Sequence, residues 1–308
     1  MIAILGPTAS GKSAFAIELA TRLKGEIVCL DSSTVYRGLN IGTSKPSKSD
    51  REKVPHHLVD ILNPDENFSV YHFVEQADKT ITEIVSRGKV PIVVGGTYFY
   101  LRALQHGMYP NVFVSTVELE SIENEYTLDE TIDSQRMHSD VKSQDPASAE
   151  KIHPNDRYRL VRALAVIKHH KQRPSELKPE KISEGQSLRV WMKYAMAVSR
   201  RTLTNNITRR TEAMILSGLV DEARALLNQF PKTRSLSCIG YNEAARFLSN
   251  EITDKQLRNE IIEKTRQLAK RQITWLRSDP EIRYVDSRDG DRINLEFENL
   301  KYALVTPP

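Results

Sequence analysis

The chain has 308 residues, 39% hydrophobic and 27% charged, which is enough apolar material for more than one core and unlike a disordered chain. A formal net charge of +4 permits an anionic partner without demanding nucleic acid. No apolar run approaches the roughly 20 residues that span a bilayer, and Cys29 and Cys238 form neither a metal-spaced set nor a disulfide framework, which suits a reducing cytoplasm. In chain order, Ile2-Ala3-Ile4-Leu5 is too short for a signal peptide and reads as a first strand. It runs into Gly6-Pro7-Thr8-Ala9-Ser10-Gly11-Lys12-Ser13 and then a helical pattern through Ala14, Phe15, Ile17, Leu19, Ala20 and Leu23. Strand, glycine-bounded loop and helix are the context in which this motif cradles phosphates. Gly6 and Gly11 leave the backbone free to turn its N–H groups inward, and the helix N-terminus adds partial positive charge. Lys12 can reach terminal phosphate oxygens, and Ser13 can hold a phosphate-bound Mg²⁺.

A second strand, Glu26-Ile27-Val28-Cys29-Leu30, ends on Asp31. Ligands of an open parallel sheet sit beyond the carboxyl ends of its strands, so topology brings Asp31 near the phosphate loop. A carboxylate there can bind Mg²⁺, take a proton from a nucleophile, or cap the following turn. The stretch 31–46 is polar, glycine-punctuated and irregular, as a ligand-facing loop is. His56 and His57 point apart in an extended chain and lack a third imidazole, which favours structural or substrate contacts over a metal. A helix is expected over 68–88, closed by Gly88, and a strand over 90–94 that ends in Gly95-Gly96-Thr97 where a motor-type NTPase carries a Walker B acid. Thr97 is a candidate donor to the oxygen on which charge develops.

From 112 to 190 the composition turns polar and helical, with patterns at 117–126, 132–142 and 157–164 and a Pro/Lys/Glu-rich loop over 172–185. Arg159 and Arg162 share a helix face that is either solvated or bound to an anion. A strand is expected over 190–198. One long helix is expected over 204–230, where Gly218 costs about 1 kcal/mol unless something packs close or the helix breaks there. A glycine turn at 237–241 precedes a last helix over 260–276 with a basic stripe of Lys264, Arg266, Lys270 and Arg271 ending near Trp275, suited to a phosphodiester surface or to solvent.

The phosphate loop, Asp31 and Gly95-Gly96-Thr97 thus converge on one α/β sheet. Phosphoryl transfer would make the chain a small-molecule kinase of the nucleotide-kinase kind. Cleavage of a C–O bond to diphosphate would make the same loop a cradle for a leaving group, with Asp31 deprotonating the acceptor. Phosphate binding alone is common to both.

The stretches GPTASGKS (6–13), DSSTVYRGLNIGTSKP (31–46), HHLVDI (56–61), VPIVVGGTYFYLRAL (90–104), DPASAEKIHPNDRYRLVRAL (145–164), MILSGLVDEARAL (214–226), IGYNEA (239–244) and TRQLAKRQITWLR (265–277) resemble the tRNA dimethylallyltransferases, the IPP transferase family, in family order. The resemblance implies a P-loop core over 1–111 and 191–308, flanked by helices on a parallel sheet, and a helical insert over 112–190 that embraces the anticodon stem. It implies transfer of a dimethylallyl group from dimethylallyl diphosphate to N6 of the adenosine beside the anticodon of tRNA, with Mg²⁺, by a cytoplasmic monomer with no membrane partner. Asp31 would be the general base and Thr97 a helper at the bridging oxygen. Gly6, Thr8, Ala9, Ser10, Gly11, Lys12, Ser13 and Arg210 would hold the diphosphate, Ser13 also contacting Mg²⁺. Ser32, Ser33, Thr34, Tyr36, Arg37, Arg159, Arg162, Lys270, Arg271, Gln272 and Trp275 would meet tRNA. The chain departs from the family at Asn206, where members usually carry arginine, at Asn242, often lysine, and at His169-His170-Lys171. Loss of a cation at Asn206 is expected to weaken diphosphate binding, and a tRNA-binding protein with blunted catalysis is the reading this leaves open.

Overall fold

In the computed structural model, which describes residues 1–107, 114–127, 129–177, 190–231, 233–286 and 298, the opening apolar run is a fully buried strand, β1 (Ile2–Leu5). After the glycine-bounded loop comes α1 (Lys12–Leu23), which buries Phe15, Ala16, Leu19 and Ala20 at helical spacing. β2 (Glu26–Leu30), a short α2 (Lys48–Lys53) and β3 (His56–His57) follow. The sequence pattern gives no sign of α2, which Ser47 and Asp50 start with a capping box. α3 (Val70–Ser86) turns Phe73, Val74, Ala77, Ile81 and Ile84 inward, and β4 (Pro91–Gly95) leads to α4 (Tyr98–His106).

The chain divides into two compact units, Met1–Gln105 with Ser183–Pro308, and His106–Ile182. In the latter, α5 (Thr116–Asn124), α6 (Glu130–Gln144), α7 (Pro146–Ala149) and α8 (Arg157–His170) surround a core that includes Ile122, Met137, Val141, Leu160 and Leu164. α8 outruns the expected 157–164 because Ala165, Val166 and Ile167 extend its buried face, and it stops where Lys171 turns left-handed. Of the loop expected over 172–185, the part from 178 onward lies outside the described residues.

The first unit resumes with β5 (Met192–Met196). The single helix expected over 204–230 is instead two, α9 (Arg200–Leu216) and α10 (Leu219–Gln229), separated at Gly218, whose φ of 96° favours glycine. α11 (Tyr241–Leu248) comes next. α12 (Asp254–Arg277) starts ahead of the expected 260 because Thr253 and Gln256 form a capping box. β6 (Ile282–Val285) closes the described fold.

The six strands pair in parallel in the order β3-β2-β4-β1-β5-β6, flanked by helices, so the fold is the expected α/β class. Register is what positions the site. Leu5 of β1 and Leu30 of β2 both pair with Gly95 of β4, so Gly6, Asp31 and Gly96 leave the sheet at one level. A Cβ on Gly95 would lie 2.0 Å from the Leu30 carbonyl oxygen, so glycine is what lets β4 fit there.

Behind the site, Lys193 of β5 is buried against Asp279 Oδ2 at 2.5 Å and Glu281 Oε2 at 2.8 Å, and the Tyr98 hydroxyl donates to the same Asp279 oxygen at 2.7 Å. The cluster ties β5 to α4 and to the turn before β6. Removing one member of a buried ion pair strands the other charge. Lys193→Met is therefore expected to cost about 3–5 kcal/mol in denaturant unfolding. The double variant Lys193→Met with Asp279→Leu is expected to recover much of that loss.

Candidate active site

The phosphate loop is held open from outside. Ala9 and Gly11 both have positive φ, 63° and 87°, and a left-handed alanine needs support from its surroundings. Asn206 of α9 donates from Nδ2 to the Ala9 carbonyl at 3.1 Å. One turn on, Arg210 donates to Thr8 Oγ1 at 2.8 Å and reaches the Thr43 carbonyl at 3.4 Å. From α12, Gln272 Oε1 accepts the Thr8 N–H at 2.8 Å, while its Nε2 donates to the Gly96 carbonyl at 3.1 Å. Two helices therefore grip the loop from its outer side.

Inside the loop the arrangement favours an anion. Gly11 caps α1 without a side chain, and the first turn of α1 carries no acid, so the helix N–H groups remain available. Lys12 folds back to the Pro7 carbonyl at 3.3 Å. Burial, then the neighbouring Arg210, push the Lys12 pKa down to about 8 against the upward pull of Asp31. The Arg210 guanidinium is likewise lowered by burial, with Asp31 opposing. Two crowded cations facing one carboxylate make a site short of negative charge. Ser10 adds a buried hydroxyl with no hydrogen-bond partner among the described residues.

Asp31 spends Oδ1 on the backbone N–H groups of Ser33 (2.7 Å) and Thr34 (3.2 Å), forming a turn with its own chain. Among the described residues, Oδ2 accepts no hydrogen bond. Capping thus engages one oxygen and leaves the other uncommitted. The Asp31 charge also reaches its surroundings: burial first, then Asp31, raise the Cys238 thiol to about 12, and burial, Tyr36 and Asp31 do the same for the Tyr100 phenol. Thr97 is half-buried directly after Gly96 and opens α4, accepting the Tyr100 N–H at 2.9 Å through its carbonyl.

The other expected site residues divide by exposure. Ser32 and Arg37 are exposed and Ser33 is half-buried, whereas Thr34 and Tyr36 are buried. Arg37 is engaged with Asn63 Oδ1 at 3.1 Å and the Ile61 carbonyl at 3.0 Å. Lys270, Arg271 and Trp275 are exposed on α12, the Trp275 ring lying 6.0 Å from that of Tyr98. Gln272 is half-buried, with its amide turned to the loops. Arg159 and Arg162 are exposed on α8 of the other unit, where Arg159 pairs with Asp156.

Sequence reasoning did not find the brace on 31–46. Glu222 of α10 accepts the Ile41 N–H at 2.8 Å and the Tyr241 hydroxyl at 2.5 Å, and Tyr241 in turn accepts the Gly42 N–H at 3.2 Å. Glu222 and Tyr241 lie about 180–200 residues from the 41–42 backbone they hold, and no local pattern announces the contacts. His57 and His56 serve structure, bonding Glu26 Oε2 and the Val54 carbonyl at 2.7 Å each. Among the described residues no group of three or more His, Cys, Asp or Glu could hold a metal. The donors present, with Ser13 exposed at the first turn of α1, fit a Mg²⁺ carried mainly by phosphate oxygens and water. No helix among the described residues is long and apolar enough to cross a membrane.

The family model described as IPP transferase matches residues 34–279. A tRNA dimethylallyltransferase of Staphylococcus aureus is 36% identical over 292 residues, 94% of this chain and 93% of that protein. The structure of a tRNA isopentenylpyrophosphate transferase from Bacillus halodurans superposes with a TM-score of 0.71 at 32% identity, covering 97% of this chain and 95% of the other. A eukaryotic dimethylallyltransferase acting on tRNA gives a TM-score of 0.76 at 26% identity, covering 94% of this chain and 74% of that one.

The Lys12 environment sets a pH dependence. Lys12 loses its proton as pH rises through about 8, so calorimetric affinity for inorganic diphosphate is expected to fall above that point. Lys12→Arg, whose cation does not titrate there, is expected to level the profile across the same interval.

Proposed function

The chain belongs to the IPP transferase family, and we propose that it transfers a dimethylallyl group from dimethylallyl diphosphate to N6 of the adenosine beside the anticodon of tRNA. One observation carries this reading. Lys12, Arg210 and the open N-terminus of α1 converge on one side, and the uncommitted Oδ2 of Asp31 leaves the sheet two strands away at the same level.

In the proposed reaction, adenine N6 attacks C1 of the dimethylallyl group and the C1–O bond to diphosphate breaks. The bonding electrons leave with the diphosphate, and the N6 proton passes to Asp31 Oδ2. Charge grows on the leaving oxygen. Lys12, Arg210 and the loop N–H groups meet that charge in a partly dehydrated site, where such donors act most strongly. The Thr97 hydroxyl assists at the bridging oxygen. Mg²⁺, held by Ser13 and the diphosphate, would supply further charge neutralisation. Asn206 adds no cation, and its contact with Ala9 supports a role in shaping the loop.

An adenine stacked in an RNA loop must swing out to reach Asp31. The exposed Lys270, Arg271 and Trp275 of α12, with Ser32 and Arg37, supply the cations and aromatic face such a loop needs. We assign the insert over 112–190, with Arg159 and Arg162, to the anticodon stem. We propose that the protein acts as a monomer, and the two unpaired cysteines suit the cytoplasm.

Label from the dimethylallyl moiety is expected to enter tRNA carrying adenosine beside the anticodon, with Mg²⁺ present. Normal tRNA binding without incorporation would sink the catalytic reading. Asp31→Ala is expected to lower turnover by about 10²-fold or more while tRNA still binds; unchanged turnover would remove Asp31 as the base.

A further inference from the structure

Among the described residues, Gln272 is the one side chain that bonds both to the phosphate loop and to the end of β4. Its Oε1 accepts the Thr8 N–H at 2.8 Å and its Nε2 donates to the Gly96 carbonyl at 3.1 Å. The fit is close: a Cβ on Gly96 would meet Nε2 at 2.2 Å, so the amide occupies the space that a side chain there would need. Thr8 is also bonded through its hydroxyl to Arg210, and Gly96 is followed directly by Thr97. One planar group therefore spans the gap between the phosphate loop and the strand end that carries Thr97.

We propose that Gln272 is a positioning residue for the transfer step, fixing the phosphate loop relative to Gly96-Thr97, and that it makes no contact with RNA. The inference rests on the prenyl-transfer reading above. The amide carries a donor and an acceptor on one rigid plane. A carboxylate could still accept from Thr8 but would face the Gly96 carbonyl without a proton. An alanine would release both loops. The neighbours of Gln272 on α12 do the opposite of what it does: Lys270, Arg271 and Trp275 are exposed, while its amide is consumed inside the protein.

Displacement of reacting groups by about 1 Å costs on the order of 10²-fold in rate. Gln272→Ala is therefore expected to lower kcat by about 10- to 100-fold with the tRNA dissociation constant and the KM for tRNA unchanged, and to weaken binding of inorganic diphosphate measured calorimetrically without RNA. Gln272→Glu gives a second readout: it keeps an acceptor for the Thr8 N–H and loses the donor to the Gly96 carbonyl, so its kcat is expected to fall as well, with tRNA binding unchanged. Weakened tRNA binding with unchanged kcat in either variant would overturn the proposal in favour of an RNA contact. Should the unmodified protein transfer no label, the prenyl-transfer reading falls, and the diphosphate titration of Gln272→Ala still decides whether the amide bridge shapes the cradle.

Discussion

The structure depends on a close approach of backbones at Gly95. This residue pairs with Leu5 on one side and Leu30 on the other, with room for no side chain beside the Leu30 carbonyl. Three loops with unrelated sequences therefore leave the sheet at one height: the phosphate loop, the turn begun by Asp31, and Gly96-Thr97. A slip of one residue in β4 would exchange the side chains on its two buried faces and separate them. The site thus follows from register first and from side-chain chemistry second.

On that frame the electrostatics are asymmetric by design of the neighbours. Burial disfavours both Lys12 and Arg210, the Arg210 charge further disfavours Lys12, and Asp31 offsets them. An anion entering the loop relieves both cations at once, which is why the free site is primed for phosphate. Asp31 is prevented from closing onto either cation by its own turn, which commits Oδ1 to the Ser33 and Thr34 N–H groups. The remaining oxygen is the one to which the proposed reaction assigns the proton of the acceptor.

Much of this was legible in the sequence, and the parts that were not share a cause. Strands β1, β2 and β4 announce themselves as short apolar runs ending in Gly6, Asp31 and Gly95-Gly96, so local pattern reached the centre of the site. The break at Gly218 was visible as a glycine inside a helical pattern, but only its left-handed φ shows that the helix ends there. α11 is short, and β6 buries only its two ends, so neither gives a run long enough to read. The brace from Glu222 and Tyr241 to the 40–42 backbone and the grip of Asn206, Arg210 and Gln272 on the loop join residues far apart in sequence. Periodicity carries no information about such pairs.

Asn206 shows how a single side-chain change divides two duties that family resemblance would assign together. An arginine at that point of α9 would bring charge to the loop. The asparagine brings a short neutral donor that reaches the carbonyl of left-handed Ala9, so what it supplies is conformation. A cation is still present a turn further along the same helix in Arg210, which is fixed between Thr8 and Thr43. Meanwhile Gln272 and Trp275, three apart on α12, lie along one stripe: the first holds Thr8 and Gly96, and the second packs on Tyr98, itself bonded to Asp279. The segment 96–98 is thus clasped by the same helix whose exposed face carries Lys270 and Arg271, so the face to which the proposed function assigns RNA belongs to a helix fastened to the loops around Asp31.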